Sequence, residues 1–555
     1  MMQAVGPGGG GQFDYVVVGA GTAGCVLASR LAENPAVTVC LIEAGPDDVH
    51  PYIHIPALVG AAIATPSINW RFMTTPQPHL DGRRIPIPRG HVVGGSGSIN
   101  GMVYFRGQRR DFDDWAAEGN SGWSYAEVLP YFLRSESNPS YSSSPYHAQS
   151  GPMRVSFIAR PNPLNGAFLD AMASLEFKPC PDFNSPEPEG YGLRQGTIRD
   201  GRRESTASAY LRAARRRPNL RLLTDALTRS VVLESGRAVG VDVLAGGQSL
   251  RIGARAEVAV CGGSIGSPHL LQLSGIGDAE GLKRAGIEVR HHLPGVGANL
   301  HDHLAVPVLM ETRNSDSYGI SVRAAPRGAW NILEYLLWRS GPFASNVFES
   351  TAFLRTDADA DRPNLQIVFQ PARRNRSTFP LPLGHGYAIS SVGLRPKSRG
   401  RVTAANPDPR TPPDIDPNLL ADPADLEPLL HGIELGRRIV AQAPFARYRA
   451  VEVQPGPAVQ GREALTAYVR RMATTVHHPA GTCRMGGGAD AVVDRELRVH
   501  GVAGVRVVDA SIMPQVVSGN TNAAVVMIAE KAADLMLGRP PPRALEHPEA
   551  ATQVA

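Results

Sequence analysis

Tyr15 Val16 Val17 Val18 Gly19 Ala20 Gly21 Thr22 Ala23 Gly24 is the stretch whose reading decides the fold. A short run of buried-strand type breaks into glycines spaced GxGxxG, and the chain continues as an apolar helix from Cys25. Each glycine answers a separate need: Gly19 permits the tight strand-to-helix turn, Gly21 lets backbone approach a pyrophosphate, and Gly24 lets helix and strand pack closely. The N-terminus of the helix then faces the anion. A second strand, Val37 to Ile42, ends at Glu43, about twenty residues past the last glycine, where a carboxylate can accept hydrogen bonds from a ribose diol. A lone GxGxxG opens many helices, but strand, turn, helix, strand and acid in this order predict a dinucleotide site on a Rossmann-like α/β domain. Nicotinamide and flavin both stay open on these residues.

Working outward, Glu257 to Cys261 reads as another strand, ending at Gly262 Gly263. It is followed by a short helix from Ser267 to Leu273, with proline near its start and Gly275 after its end. At the far end of the chain Gly504 to Val508 reads as a strand ending at Asp509 Ala510, and Asn520 Thr521 Asn522 supplies N-capping residues for a helix Ala523 to Leu537. Between these, Pro76 to Gly101 is loop-rich, and its run from Pro86 to Gly101 cannot be the interior of a regular element. Because Val92 Val93 and Met102 Val103 Tyr104 flank it with buried-type residues, close approach to a ligand is expected there rather than a surface linker. From about Arg313 to Leu465 prolines and spread charges alternate with short strand patterns, Leu365 to Phe369 and Tyr387 to Val392, which predicts an antiparallel sheet forming a cap.

At 555 residues the chain exceeds what one core usually supports, so two domains or one enlarged domain are expected. The start, Met1 to Gln12, is glycine-rich and lacks a basic or apolar region, and no run approaches the length of a bilayer span. Neither a signal peptide nor a transmembrane helix is expected. Net charge is +5, carried almost wholly by scattered arginines, since only Lys178, Lys283, Lys397 and Lys531 are lysines. Without a basic block or an aromatic ladder, nucleic acid is not an expected partner. The cysteines Cys25, Cys40, Cys180, Cys261 and Cys483 are far apart and odd in number, which fits a reducing cytoplasm. His301 Asp302 His303 lacks partners at ligand spacing, so its histidines are expected to be hydrogen-bonded in a loop and no metal is expected.

Taken together and in this order, these pieces resemble the glucose-methanol-choline (GMC) family of flavoprotein oxidoreductases. Arg89 to Asn100 is similar to its first signature, Gly263 to Gly277 to its second, and His477 His478 Pro479 Ala480 Gly481 Thr482 Cys483 Arg484 Met485 Gly486 to its active-site segment. Within the family the wording is most similar to a choline-dehydrogenase-like branch that includes membrane-associated aliphatic alcohol dehydrogenases, through Arg362 to Gln366, Pro396 to Arg401 and Gly519 to Asn522. The resemblance implies FAD, and because Ile99 stands where some choline oxidases attach the flavin through histidine, a dissociable one. It implies a Rossmann-like FAD-binding domain (1–155, 191–312 and 466–555) and an antiparallel-sheet substrate cap (156–190 and 313–465). It implies oxidation of a primary alcohol to an aldehyde, with electrons passing to a quinone or to oxygen.

The pattern His-Pro-x-Gly-Thr places the base at His478, with His477 on the flavin side, and Asn520 takes the partner position, with simple helix capping as its alternative role. Asn100 and Val103 match positions against the isoalloxazine, Asp509 and Ala510 a strand end that contacts the cofactor, and Thr228 a strand that touches adenine. Thr22, Ala23, Ala44, Trp70, Val93, Gly95, Met102 and Thr521 complete the cofactor set implied by resemblance, beside Gly19, Gly21, Gly24 and Glu43. Glu349 aligns with an acid that meets the choline ammonium in choline enzymes, though a similar acid occurs in relatives that need no cation. A lyase or light-driven decarboxylase on the same scaffold, and a non-catalytic FAD-binding protein, are the other readings. The chain is expected in the cytoplasm, with any membrane contact peripheral at the inner face.

Overall fold

The computed structural model describes residues 10–357, 360–373 and 383–545, so most of the glycine-rich start lies outside the described residues. Its organising element is the strand Gln12–Val18, which begins where that tail was expected to continue. Val16, Val17, Val39, Cys40 and Leu41 are fully buried, as uninterrupted apolar runs must be when helices cover both faces of a parallel sheet. The strand pairs in parallel with Val39–Ile42 on one side and with the long strand Gln248–Val260 on the other. Leu220–Leu223 extends the sheet beyond Val39–Ile42, while Arg237–Ala245 and Ala226–Glu234 continue it antiparallel beyond the long strand. Val505–Val507 pairs in parallel with Val258–Val260, so the C-terminal region returns to the sheet that the N-terminal strand began.

The helices Thr22–Leu31 and Asn522–Met536 pack together in the same core. Glu530, fully buried in the second, is held by Arg30 Nε at 3.0 Å and by the Tyr210 hydroxyl at 2.7 Å, which satisfies a carboxylate that burial alone would neutralise. The helix after Gly262 begins at Gly263, earlier than expected, and so contains Pro268 in its interior. Proline has no N–H to offer the carbonyl four residues back. That carbonyl, of Ser264, instead accepts from the Thr482 hydroxyl at 2.8 Å, which repairs the helix and ties it to the His478 segment.

The second sheet is antiparallel throughout, in the order Gly190–Leu193, Ser350–Leu354, Leu365–Gln370, His385–Gly393, Leu304–Thr312 and Val451–Gln454, with Thr474–Thr475 beside Leu304–Thr312. The expected cap sheet is present, but its membership corrects the sequence boundaries. Leu304–Thr312 and Thr474–Thr475, both assigned to the cofactor domain, are hydrogen-bonded into the cap sheet, because alternation and not a domain break governs that run. Leu304, Val306, Val308 and Met310 point to one face and pack with Phe168, Leu429 and Ile433 of the helices Leu164–Ser174 and Glu427–Val440. On the opposite face Ala305 packs with Val368 and Val392, next to Phe348. The covered face makes this unit's core, and the other face looks onto the candidate site.

Candidate active site

The glycine turn forms as its spacing requires. Gly19 takes φ 98°, and a Cβ on Gly24 would lie 1.9 Å from the Gly19 carbonyl oxygen, so only glycine allows the helix to sit on the strand. A Cβ on Gly21 would meet the Cys261 carbonyl oxygen at 3.9 Å and the Gly95 Cα at 4.0 Å, ordinary contact distances. Directly against it stands the first-signature loop, where Gly94 and Gly95 have φ 88° and 53° and a Cβ on Gly95 would come within 2.7 Å of the Gly21 Cα. Gly94 N donates to the Ala20 carbonyl at 2.7 Å and Val93 N to that of Pro46 at 3.0 Å, which fixes the loop against the turn.

Two helix N-termini converge here. Neither Thr22–Leu31 nor Asn522–Met536 has a capping side-chain bond, and Thr22 Oγ1 donates to Asn522 Oδ1 at 2.9 Å. The N-cap of the second helix is Thr521, not Asn520, which corrects the capping role considered for Asn520. Glu43 is buried, with Ala20 N donating to Oε2 and Gly45 N to Oε1, each at 2.9 Å. Burial pushes its carboxyl up to about 7 against those two donors, and it braces the turn from the sequence position expected for a ribose ligand. Ala44 lies between them. Ala226 N donates to the Glu43 carbonyl, which brings Thr228 alongside with its buried hydroxyl unpartnered. Trp70 is partly exposed, stacked on Phe72 and tilted over His91 at 4.3 Å, at the rim of this end.

Asp509 is buried at the end of the strand Val505–Val507. Its Oδ2 accepts from Gly263 N at 2.8 Å and its Oδ1 from Ser511 N at 2.8 Å, so the carboxylate holds the start of the proline-containing helix. Ala510 follows, its carbonyl accepting from Gly481 N. At the other end of the loop Asn100 Oδ1 accepts from Met102 N at 2.9 Å and from Arg203 Nη1 at 2.8 Å. Met102 is left-handed, φ 56°, and Val103 is buried against Phe105 and Phe353.

The base side is a chain of side chains. Asn520 Nδ2 lies 3.0 Å from His478 Nε2, His478 Nδ1 lies 3.1 Å from His303 Nδ1, and His303 Nε2 lies 3.0 Å from the Leu394 carbonyl oxygen. A carbonyl only accepts, so His303 carries its proton on Nε2 and accepts at Nδ1. His478 must then donate from Nδ1, leaving a lone pair on Nε2 beside the Asn520 amide. His303 is buried and His478 half-buried, and loss of solvent pushes His303 down to about 4 and His478 well below the ordinary histidine value, with His303, His477 and Arg89 adding to the second shift. Each is a neutral imidazole at neutral pH.

Asp302 Oδ1 accepts from His478 N at 2.8 Å and fixes its backbone. Burial raises that carboxyl to about 7. Arg89 donates from Nη2 to the carbonyl of His477, a residue held at φ 69°. Asp302, His303, Arg89 and Arg203 are functional neighbours that spacing did not assign. The signal present was the pair of histidines flanking an acid in one loop. His301, the other of that pair, accepts from Val516 N at Nε2 and serves the loop alone.

Glu349 is buried. Its carboxylate accepts from Asn162 N at 2.7 Å, from the Tyr318 hydroxyl at 2.7 Å, and from Asn165 and Ser345, so four donors occupy it.

The uncapped helix starts, the unpartnered Thr228 hydroxyl and the Arg203 guanidinium, buried with no carboxylate partner among the described residues and pushed down to about 9, together fit a large anionic cofactor. The GMC oxidoreductase family model matches residues 13–305, and its C-terminal counterpart matches 396–529. The chain is 40% identical to the alcohol dehydrogenase [acceptor] of Pseudomonas putida over 95% of its length and 96% of the relative's. It is 42% identical to an oxygen-dependent choline dehydrogenase of Brucella anthropi, over 96% of each chain. Among solved structures, pyridoxine 4-oxidase from Mesorbium loti superposes with a TM-score of 0.86 at 33% identity, covering 95% of this chain and 100% of that one. A formate oxidase of Aspergillus oryzae, described for its FAD modification, superposes at 0.89 with 27% identity, over 95% and 98%. The signatures, the two-sheet fold and the histidine–asparagine pair therefore meet in one conclusion: the chain belongs to the GMC oxidoreductase family and is an FAD-dependent oxidoreductase.

Proposed function

We propose that the protein oxidises a primary alcohol to an aldehyde, with His478 as base and Asn520 as its partner. The observation that carries this reading is the His478 Nε2 lone pair, fixed by the relay through His303 and placed 3.0 Å from the Asn520 amide. An alcohol holds its proton too tightly to lose it unaided at neutral pH, and a neutral imidazole kept free of its own proton is suited to take it. A hydroxyl within reach of both side chains, taking over the Asn520 hydrogen bond, gives its proton to Nε2 while Asn520 Nδ2 donates to the oxygen and orients the carbon. FAD, when bound, supplies the hydride acceptor at N5. Gly19, Gly21, Thr22, Ala23, Gly24, Glu43, Gly95, Asn100 and Thr521 would hold it at the glycine turn and the helix starts, non-covalently, since Ile99 offers no attachment point.

The relatives' names support alcohol chemistry without choosing a substrate. Choline is the second reading, favoured by the Brucella relative and weakened by Glu349, whose carboxylate is engaged by four neutral donors. The test is anaerobic mixing of the yellow holoenzyme with aliphatic, aromatic and cationic primary alcohols, following absorbance near about 450 nm, then admitting oxygen or a quinone. Bleaching by a neutral alcohol class is expected, and the reoxidation rates separate oxidase from dehydrogenase. If no alcohol bleaches fully loaded protein, alcohol oxidation is refuted and a lyase or non-redox role replaces it.

A further inference from the structure

The helix Ala325–Trp338 is built the wrong way round for a surface helix. Trp330, Leu333, Leu336 and Leu337 recur at spacings that share one face, and that face is turned to solvent: Trp330 is 54% exposed, Leu336 72%, Leu337 59% and the terminal Trp338 61%. The buried positions are Glu334 and Tyr335. Glu334 accepts from Arg160 Nη1 at 2.7 Å and from Ser340 Oγ at 2.8 Å, and the Tyr335 hydroxyl donates to the Gly201 carbonyl at 3.1 Å. The polar groups thus tether the helix to the body, while none of the described residues covers its apolar side. Val322 and Ile320, just before the helix, are exposed too.

Charge says what covers it. Arg323 and Arg327 stand at one end and Arg339 at the other, all exposed, with Arg160 alongside and Arg202 near Tyr335. Of the acids nearby, Glu334 is buried, Asp316 lies 3.9 Å from Arg327, and Asp200 precedes the Gly201 turn. An exposed tryptophan–leucine face rimmed by arginine is the composition of a helix that lies in the interface of an anionic bilayer. At 14 residues the helix is about 21 Å long, and no described helix is long and apolar enough to cross a membrane, so the contact lies on the surface.

We infer that the Ala325–Trp338 helix docks the protein onto anionic lipid headgroups, with Trp330, Leu333, Leu336 and Leu337 inserted at the acyl boundary. The placement has a functional sense. The helix runs through Pro342–Ala344 directly into Ser345–Glu349, where Asn346 Nδ2 donates to the Gly101 carbonyl at 2.8 Å and Phe348 packs against Gly101. Docking there sets the wall of the candidate site beside the bilayer, the phase in which lipophilic alcohols and quinones dissolve.

The test is cosedimentation of the full chain, loaded with FAD, with vesicles of phosphatidylcholine alone and of phosphatidylcholine mixed with phosphatidylglycerol. Binding to the mixed vesicles at least about tenfold tighter than to phosphatidylcholine is expected, weakening as salt shortens the screening length. The variant L333S/L336S/L337S should lose binding, and L336S alone should weaken it, while both keep flavin absorbance and turn over a small water-soluble alcohol with a soluble dye. Wild-type protein that fails to pellet, or a triple variant that pellets as well as wild type, overturns the inference. A dimer in sedimentation equilibrium that the triple variant disperses, without vesicle binding, would assign the face to a second copy of this chain instead. The assay contains no alcohol, so its failure leaves the proposed reaction untouched.

Discussion

The two sides of the candidate site are made of different material. The cofactor side is backbone: glycines at positive φ, uncapped helix starts and carbonyls in fixed turns. The base side is a row of side chains, Asn520, His478 and His303, that ends on the backbone carbonyl of Leu394, segments that meet only in the folded chain. A backbone site fails by being filled, and a side-chain relay fails by losing a proton's position. Variants on each side should therefore break different observables.

The largest effect is expected from His478→Ala, which removes the base: kcat should fall about 10²–10⁴-fold with FAD content unchanged. Equal loss of FAD would erase the distinction between the two sides. Asn520→Ala comes next, with a loss of about 10²-fold in kcat/KM from misplaced substrate, read in steady-state kinetics with the flavin still bleachable in single turnovers. On the other side, Gly95→Ala forces a Cβ to within 2.7 Å of the Gly21 Cα at a left-handed position. FAD affinity should weaken about tenfold or more, measured by flavin fluorescence on titration, while the His478–Asn520 pair keeps its geometry.

His303→Ala should cost about tenfold in kcat/KM, the worth of one buried hydrogen bond, and change the pH profile because the His478 tautomer is no longer dictated. Wild-type activity should hold through neutral pH and lose its base only below about 6.5, since burial depresses His478. The smallest effect is on stability. His303, held down to about 4, is neutral when folded and protonated below about 6.5 when unfolded. Its contribution is present above about 6.5 and is lost as pH falls through that window to about 4, because the unfolded state binds the proton first. The melting temperature of His303→Asn should show a shallower decline across that range; an unchanged slope would place the depression elsewhere.

The same contrast explains what the sequence disclosed. Gly19, Gly21, Gly24 and Glu43 are legible because a backbone turn imposes fixed spacing on residue types. The strand runs at Val16 and Cys40 are legible because burial on both faces leaves no polar alternation. The relay through His303 was not legible: a histidine's proton is placed by a carbonyl at Leu394, and nothing local to His301 Asp302 His303 carries that information. Leu304–Thr312 was misplaced for a related reason, since a strand does not say which of two sheets it joins. Glu349 aligned with an ammonium ligand, but its saturation by Asn162, Asn165, Tyr318 and Ser345 is a fact of packing.

The bond from Thr22 Oγ1 to Asn522 Oδ1 spans 500 positions. During synthesis at about 5–20 residues per second, the glycine turn leaves the ribosome some 25–100 seconds before its partner exists. For most of that interval the nascent chain has half a phosphate cradle and neither His478 nor Asn520. Flavin capture is thus placed among the last events of this protein's biogenesis, and a chain interrupted before its final helix should be a client for chaperones rather than a dormant enzyme.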